Sequence, residues 1–271
     1  MDTLEIFNTY QDGIQKLFRS RLLLQIMISL GEGKKTLTEL RGVTDTTSQT
    51  LLPKIRFLEG LHYIHHHNDG YHLTPQGNVI SSQVRDHIRT GYLFSVNPKF
   101  WSSHYLEALP APFLRDIGDL CNATIVETSN TDIFSVLECF FEMIEDAERI
   151  SVVSSFMSHN HADALIKKVK EGVHVEMVVN PEIAEELRKD PFRSKIEEAE
   201  EYDHFRVYVA PSPLYIGLTV TDATLSFGLC RNDDYKYDIS SDLIATDGPA
   251  LAWGDRLFSY YKDISDEFTI V

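Results

Sequence analysis

Cysteine is scarce in this 271-residue sequence, and long apolar runs are absent. Its three cysteines, Cys121, Cys139 and Cys230, lie far apart and form no CxxC pair, which argues against a disulfide framework or a thiolate metal site. The longest apolar stretch, LLLQIMISL, is far shorter than the ~20 residues of a membrane-spanning helix. The first residues, MDTLEIF, have no basic stretch before an apolar one. These absences predict a cytoplasmic protein with no membrane segment.

The sequence as a whole also lacks the excess of cations that binding to phosphate groups requires, because its net charge is −16. This deficit is not evenly distributed. Residues 1–90 hold ten Lys and Arg, nine Asp and Glu, and six of the eleven histidines. The remaining residues hold 15 Lys and Arg and 32 Asp and Glu. A nearly neutral, His-rich part followed by a strongly acidic part indicates two domains with different partners.

The first ninety residues have the pattern of helices followed by a hairpin. In TLTELRG, Thr36 and Glu39 have the spacing of a capping box, and Gly42 is the expected end of a short helix. The next segment, TTSQTLLPKIRFLEGL, predicts a second helix that starts near Ser48, because Pro53 is tolerated best close to a helix start. Helix, tight turn, helix and hairpin is the order of a winged helix-turn-helix, whose second helix enters the major groove of DNA.

Polar residues at the start of this second helix are candidates for DNA binding. Hydroxyls and free N–H groups suit phosphates, Gln can read adenine, and Lys or Arg can reach phosphate or guanine. The candidate residues are Thr46, Thr47, Ser48, Gln49, Thr50, Lys54 and Arg56. An ordinary capped and solvated surface helix is the alternative interpretation.

The segment HHHNDGYHL predicts the hairpin, or wing. A two-residue turn at Asp69-Gly70 would pair His67 with His72. The core side is then expected to carry Ile64, His66, Tyr71 and Leu73. The outward side is expected to carry His65, His67 and His72. Outward histidines that face DNA are the favoured interpretation, and their protonation would strengthen binding as the pH falls. Three imidazoles around a zinc ion, in a metal-responsive regulator, are the alternative.

After the hairpin, TPQGNVISSQVRDHIRTGYLFSV predicts a connecting helix, and the pattern then changes. Short β-rich runs alternate with helical ones, which predicts a mixed sheet that is parallel at first and antiparallel after residue 204. The expected fold class is α+β overall. We expect a winged helix-turn-helix with its connecting helix in residues 1–88, and an α/β mixed-sheet sensor domain in residues 89–271.

Several stretches carry a resemblance to a known family. They are LLPKIRFLEGL, YHLTPQG, FWSSHYLEALPAPFLRDIGDL, LTVTDATLSFGLC and ALAWGDRLFSYYKD. Together they resemble the archaeal winged-helix transcription regulators of the methanogenesis-regulatory-protein family over nearly the whole chain. The resemblance implies sequence-specific binding of double-stranded DNA, coupled to a domain that senses an effector or another signal. The regulator class and the two flanking helices, over 4–18 and 75–95, predict a homodimer.

The second domain is also similar in element order to one half of a phospholipase-D-like fold, whose active members carry H-x-K-x4-D. In the equivalent strand, YIGLTVTD, Tyr215 stands in place of the His and Gly217 in place of the Lys, and only Asp222 matches. The strand therefore supplies neither the imidazole nucleophile nor the phosphate-binding cation that covalent phosphodiester cleavage requires. We expect a binding module with no catalytic residue, cofactor or metal. A phosphodiesterase-like enzyme with an altered active site is the alternative.

Strand ends in such a sheet are the usual place for a ligand pocket. The segment SSFMSHNH follows one predicted strand and precedes a helix, and the next strand ends at an asparagine. The candidate effector-binding residues are Ser154, Ser155, His159, His161, Asn180 and Tyr215. The alternative for the two histidines is that they cap the helix or lie in solvent.

Overall fold

The computed structural model describes residues 1–270 and divides into two compact units, Met1–Ile88 and a second that starts at Arg89. The division falls inside one long helix, Pro75–Val96. Within the described part of the chain, no helix is both long and apolar enough to cross a membrane. Each unit has a hydrophobic core of its own, and the units are described separately.

The first unit has the predicted winged helix-turn-helix order. Its elements are α1 (Thr3–Phe18), α2 (Arg21–Gly31), α3 (Leu37–Thr44), α4 (Ser48–Gly60), β1 (Ile64–His67), β2 (Gly70–Leu73) and α5 (Pro75–Val96). The core lies where α2, α3, α4 and the hairpin meet, and Ile26, Leu40 and Leu51 are completely buried there. Burial of such aliphatic side chains, at about 1.5–3 kcal/mol each, holds α3 and α4 together.

Side-chain caps determine where α3 and α4 begin. The Thr36 hydroxyl accepts a hydrogen bond from the Glu39 amide (3.2 Å), and the Glu39 carboxylate accepts one from the Thr36 amide (2.6 Å), which is the predicted capping box. The expected stop at Gly42 is wrong, because α3 continues to the buried Thr44 and ends at Asp45, whose φ is +46°. Helix α4 begins where the sequence predicts, behind an N-cap at Thr47.

The hairpin register differs from the expected one by two residues. Asn68 and Asp69 both have positive φ and form the turn, so that His67 pairs with Gly70 and His65 with His72. Two successive positive φ angles are those of a type I′ turn, which is a favoured two-residue connection between hairpin strands. A shift of two residues keeps every side chain on its predicted face, because the strand repeat is two.

The second unit combines one mixed sheet with surrounding helices. Its strands are β3 (Thr124–Glu127), β4 (Arg149–Ser154), β5 (His174–Val179), β6 (Phe205–Val209), β7 (Ile216–Thr221), β8 (Leu225–Leu229), β9 (Ser241–Ala245) and β10 (Asp266–Glu267). Its helices are α6 (Pro98–Ser103), α7 (Ala111–Arg115), α8 (Ser135–Glu145), α9 (His159–Lys170), α10 (Pro181–Leu187), α11 (Phe192–Ala199) and α12 (Gly248–Asp263). The spatial strand order is β10-β6-β5-β4-β7-β8-β9-β3.

The expected sheet is correct in kind and wrong in detail. Strands β4, β5 and β6 are parallel, so the change to antiparallel pairing comes after β6 and not at residue 204. The early strand β3 is antiparallel, because its neighbour is β9. The helical segment PEIAEELRKDPFRSKIEEAEE forms two helices, α10 and α11, with a break that includes Pro191, which has no N–H for a helical hydrogen bond.

The two faces of this sheet carry separate apolar clusters. One cluster surrounds Trp253 of α12 and includes Leu218 and Phe227. The other lies on the side of α8 and α9 and includes Phe140 and Val152. Strands β7 and β8 are buried at every position, as expected for strands in a sheet that is covered on both faces.

Candidate functional site

The outer side of α4 is the candidate DNA-contacting surface of the first unit. Gln49, Pro53 and Arg56 are exposed and follow one another at helical spacing, with the exposed Thr50 beside them. The opposite stripe of Leu51, Ile55 and Leu58 is buried, as predicted from the sequence. Gln49 and Arg56 thus lie on one face, two turns of helix apart.

The remaining candidates of this helix lie at its start or on its flank. Thr46 and Ser48 are half-buried, and Thr47 is exposed while its hydroxyl caps the helix by accepting a hydrogen bond from the Thr50 amide (3.4 Å). Lys54 is half-buried on the flank rather than on the outer face. The structure therefore brings Gln49, Thr50 and Arg56 together and leaves Lys54 apart from them.

The three outward histidines of the wing differ in accessibility. His65 and His67 are exposed, whereas His72 is half-buried and its ring stacks on that of His65 with centroids 5.4 Å apart. Within residues 1–270, the buried Nε2 of His72 has no hydrogen-bond partner. His66, expected on the core side, is exposed and packs against the Tyr71 ring, because the core does not extend to the tip of this short hairpin. In the described part of the chain, no group of three or more His, Cys, Asp or Glu side chains is placed to hold a metal ion.

Lys34 is a wing residue that sequence reasoning missed. Its ammonium donates a hydrogen bond to the Asn68 carbonyl at the tip (2.6 Å), and its side chain lies so close to Gly70 that a Cβ there would be 2.2 Å from Lys34 Cε. The following Lys35 exchanges two backbone hydrogen bonds with Tyr71 and adds a short third strand to the wing. The signal was the pair of lysines in GEGKK, immediately before the capping box.

The second unit contains a cavity of about 550 Å³ between the sheet and helices α8 and α9. Most of its wall is apolar, with Leu137, Phe140, Val152, Met157, Leu165 and Met177 among the lining residues. Its polar side chains include Ser154, His161, Thr219, Ser226, Tyr237 and Asp242. Apolar walls with a few converging polar groups are the usual character of a small-molecule site.

Only two of the six predicted effector residues, Ser154 and His161, line this cavity. Burial lowers the pKa of His161 to about 4, so its imidazole is neutral at neutral pH. Its Nδ1 lies 2.6 Å from the hydroxyl of Ser158, and its ring packs against Phe140 with centroids 4.4 Å apart. The strand, loop and helix pattern of the sequence therefore placed His161 next to a cavity.

The other four predicted residues have different surroundings. The Ser155 hydroxyl lies 4.0 Å from the Cys230 sulfur, and the His159 ring stacks on Phe192 at 4.6 Å. The Asn180 side chain is buried and hydrogen-bonds to the backbone of Leu214 through both of its ends. The Tyr215 ring packs edge-on against Tyr105 at 5.5 Å. These contacts are with neighbouring protein groups, and the six residues do not converge on one point.

Asp242 is the most unusual polar group of the cavity, and sequence reasoning missed it. Its two oxygens accept hydrogen bonds from the Tyr237 hydroxyl (2.7 Å) and the Ser226 hydroxyl (2.8 Å). Burial raises the pKa of Asp242 to about 6 and raises that of Tyr237 well above its usual value. Both residues follow the segment RNDDY, where the sequence suggested neither a strand nor a pocket.

The positions equivalent to the phospholipase-D-like motif lie at this cavity or close to it. Gly217 lines the cavity, and a Cβ at this position would be 2.5 Å from the Tyr237 ring. Asp222 accepts a hydrogen bond from the Glu148 amide (2.9 Å), which lowers the pKa of its carboxyl. Asp222 therefore anchors the backbone that precedes β4.

Two domain models of one family match this chain in order. Methanogenesis regulatory protein FilR1, N-terminal domain, matches residues 11–90, and the middle domain of the same protein matches residues 133–264. The chain belongs to the FilR1 family. The FilR1 match confirms the resemblance on which the sequence analysis relied.

The methanogenesis regulatory protein FilR1 of Methanothrix harundinacea (strain 6Ac) is 25% identical to this chain over 251 residues. The match covers 92% of this chain and 56% of that protein, so the chain spans little more than half the length of its FilR1 relative.

Solved structures similar to this FilR1-family chain include the archaeal chromatin protein TrmBL2, at 17% identity and a TM-score of 0.42, with 96% of this chain and 99% of that chain covered. Two other solved structures each cover 54% of this chain and are themselves covered to 99%. They are Nuc of Salmonella typhimurium, a phospholipase D family member, at 14% identity and a TM-score of 0.39, and NucT of Helicobacter pylori, at 13% identity and a TM-score of 0.42. Likeness at this level carries no functional argument.

Proposed function

We propose that this chain is a DNA-binding transcription regulator that acts in the cytoplasm and binds double-stranded DNA through α4 and the wing. The observation that carries the proposal is the two-sided character of α4, where Gln49 and Arg56 are exposed opposite a completely buried apolar stripe. A helix anchored in this way, with a hairpin following it, suits insertion into the major groove. Membership of a family of regulatory proteins supports the same function.

The proposed contacts follow from side-chain chemistry. Gln49 presents an amide that can pair with adenine, and Arg56 presents a guanidinium for guanine or phosphate. The hydroxyls and amides at the start of α4, from Thr46 to Thr50, suit phosphate oxygens. On the wing, the exposed His65 and His67 are the proposed contacts, together with Lys34. His72 supports the wing by stacking on His65.

The test measures DNA binding by the full chain on a duplex selected from a random pool. Gln49→Ala is expected to weaken binding to the selected sequence about 5- to 100-fold, since one bidentate base contact contributes about 1–3 kcal/mol. Arg56→Ala is expected to weaken binding and, if the guanidinium meets a phosphate, to reduce the slope of log K against log salt by about 1. Gln83→Ala, an exposed glutamine of α5, is the control and is expected to bind normally. Unchanged affinity in both α4 variants would overturn the proposal.

We further propose that the cavity of the second unit binds a small-molecule effector and performs no phosphodiester chemistry. Its volume of about 550 Å³ lies in the range of known ligand pockets, roughly 300–1,000 Å³. The equivalents of the phospholipase-D-like His and Lys are Tyr215 and Gly217, which supply neither an imidazole nucleophile nor a cation. Hydrolysis of bis(p-nitrophenyl) phosphate by the purified chain, abolished in a Tyr215→Phe variant, would favour the enzyme instead.

A homodimer formed through α1 is the third part of the proposal. All of the first ten residues are exposed, including Leu4, Ile6 and Phe7. The first half of α1 therefore contributes little to a core, and so short a helical segment is only marginally stable in water without a partner. Asp2 and Glu5 lie at the start of α1 and Lys16 and Arg19 at its end, with one further acidic residue, Asp12, between them. Two antiparallel copies would therefore place opposite charges against each other, as a two-fold axis allows.

A further inference from the structure

We infer that the cavity of the second unit takes a ligand with a protonated amine on an apolar body, with the ammonium group bound at Asp242. This inference rests on the proposed ligand-binding role of the cavity and adds the chemical class of the ligand. It follows from the charges of the lining residues, from the hydrogen bonds already made by Asp242 and from the aromatic rings around it.

The charge of the lining excludes an anionic ligand. Asp242 contributes a carboxyl to the wall, and among the lining residues of the described chain there is no Lys or Arg. His161 adds no positive charge at neutral pH, because burial lowers its pKa to about 4. Burial raises the pKa of Asp242, the nearby carboxyl of Asp238 raises it further, and His104, which lies 3.1 Å from Asp238, acts in the opposite direction. A ligand phosphate or carboxylate would meet repulsion here with no cation to offset it.

The hydrogen bonds of Asp242 prepare it for a cationic donor. Each carboxylate oxygen accepts one hydroxyl, from Tyr237 or from Ser226, and a carboxylate has about four acceptor positions. The two remaining positions suit N–H donors, and an ammonium group has three. A buried carboxylate without a cation is costly, so a bound ammonium would supply the missing countercharge.

The rings near Asp242 suit the rest of such a ligand. Phe156 stacks on Tyr237 with centroids 4.5 Å apart, and both line the cavity together with Phe134 and Phe140. Aromatic faces attract a cation by about 0.5–2 kcal/mol and also accept an apolar body. An aryl-alkyl or alkyl amine therefore matches the wall at both of its ends.

The test uses three probes that share one skeleton: 3-phenylpropylamine, 3-phenylpropanol and 3-phenylpropionate, titrated into the full chain at pH 7.5 by calorimetry. We expect the amine to bind at least tenfold more tightly than the alcohol, and the carboxylate to bind more weakly than either. If the alcohol or the carboxylate binds as tightly as the amine, the ligand class is overturned while the ligand-binding role of the cavity stands. If none of the three binds at millimolar concentration, both are overturned.

Two variants locate the amine. Asp242→Asn keeps the side-chain shape and one acceptor oxygen but removes the charge, and it is expected to lower amine affinity at least tenfold while alcohol affinity changes less than threefold. Asp146→Asn removes an exposed carboxyl at the end of α8 and is the matched control, with binding unchanged. Amine binding that survives Asp242→Asn at full strength would overturn the inference. The comparison of the three probes on the unmodified chain decides the ligand class without any variant.

Discussion

The ring of Tyr237 occupies the space in which a side chain at Gly217 would begin. A Cβ on Gly217 would be 2.5 Å from Tyr237 Cε2, closer than real Cβ contacts come, and a Cβ on Gly228 would be 2.1 Å from the Tyr237 hydroxyl. The absence of a side chain at Gly217 leaves the space in which the Tyr237 ring is held against Asp242.

Gly217→Ala is expected to lower the free energy of unfolding by about 1–3 kcal/mol, because an extra methyl forces the packed Tyr237 ring to move. Urea denaturation of the second unit, followed by tryptophan fluorescence from the buried Trp253, measures the change. Gly248→Ala is the control, since a Cβ at that position meets nothing within 4 Å. Equal midpoints for the two variants would contradict the packing argument.

The buried Asp242 predicts a pH-dependent contribution to stability. Its pKa is about 6 when folded, against roughly 3.9 for an unperturbed aspartate. Because the folded pKa is the higher one, the contribution of Asp242 is complete below about pH 4 and is lost as the pH rises through 6. The free energy of unfolding of the unmodified chain minus that of Asp242→Asn should therefore be about 2–3 kcal/mol larger at pH 4 than at pH 7.5.

Urea denaturation of the chain and of the Asp242→Asn variant, at several pH values between 4 and 7.5, measures this difference. The exposed Asp146→Asn is the control and should show a much smaller change over the same range. If the difference in free energy of unfolding between the chain and Asp242→Asn does not change with pH, the raised pKa of the buried Asp242 carboxyl is contradicted.

His161 should show the opposite dependence in almost the same window. Its folded pKa, about 4, lies below the ordinary value near 6.5, so its contribution is present above pH 6.5 and is lost as the pH falls through 4. Relative to His161→Gln, the chain should lose about 3 kcal/mol of stability between pH 7.5 and pH 4. His174→Gln, at an exposed position of β5, is the control in the same denaturation series. A similar pH dependence in both histidine variants would contradict the burial of His161.

The fold of the first unit could be predicted largely from local signals. The capping box at Thr36 and Glu39, and the cap of α4, depend on residues close in sequence, and the structure has both. The wing was harder, because Asn68-Asp69 and Asp69-Gly70 are both compatible with a two-residue turn, and the run HHHNDGYHL does not distinguish between them.

The cavity could be predicted only in part, because its polar centre is assembled from distant segments. The strand, loop and helix pattern around SSFMSHNH indicated a segment of which Ser154 and His161 line the cavity. Asp242 was missed because β9 is short and begins with a serine and an aspartate, residues that are more typical of a loop than of a strand. Tyr237 precedes that strand in a loop, and only the structure shows that two glycines on neighbouring strands make room for its ring.

Phe7→Glu should convert the proposed dimer to a monomer. Leu4 and Phe7 are 66% and 39% exposed, and a carboxylate at position 7 would be buried without a cation between two copies of α1. Light scattering with size-exclusion chromatography measures the mass, which should fall from about twice that of the chain to its own 31.0 kDa. Ile264→Glu, at an exposed position of the second unit, controls for the added charge and should leave the mass unchanged. A dimer that persists in Phe7→Glu and Leu4→Glu would place the contact elsewhere, and a monomeric unmodified chain would refute it.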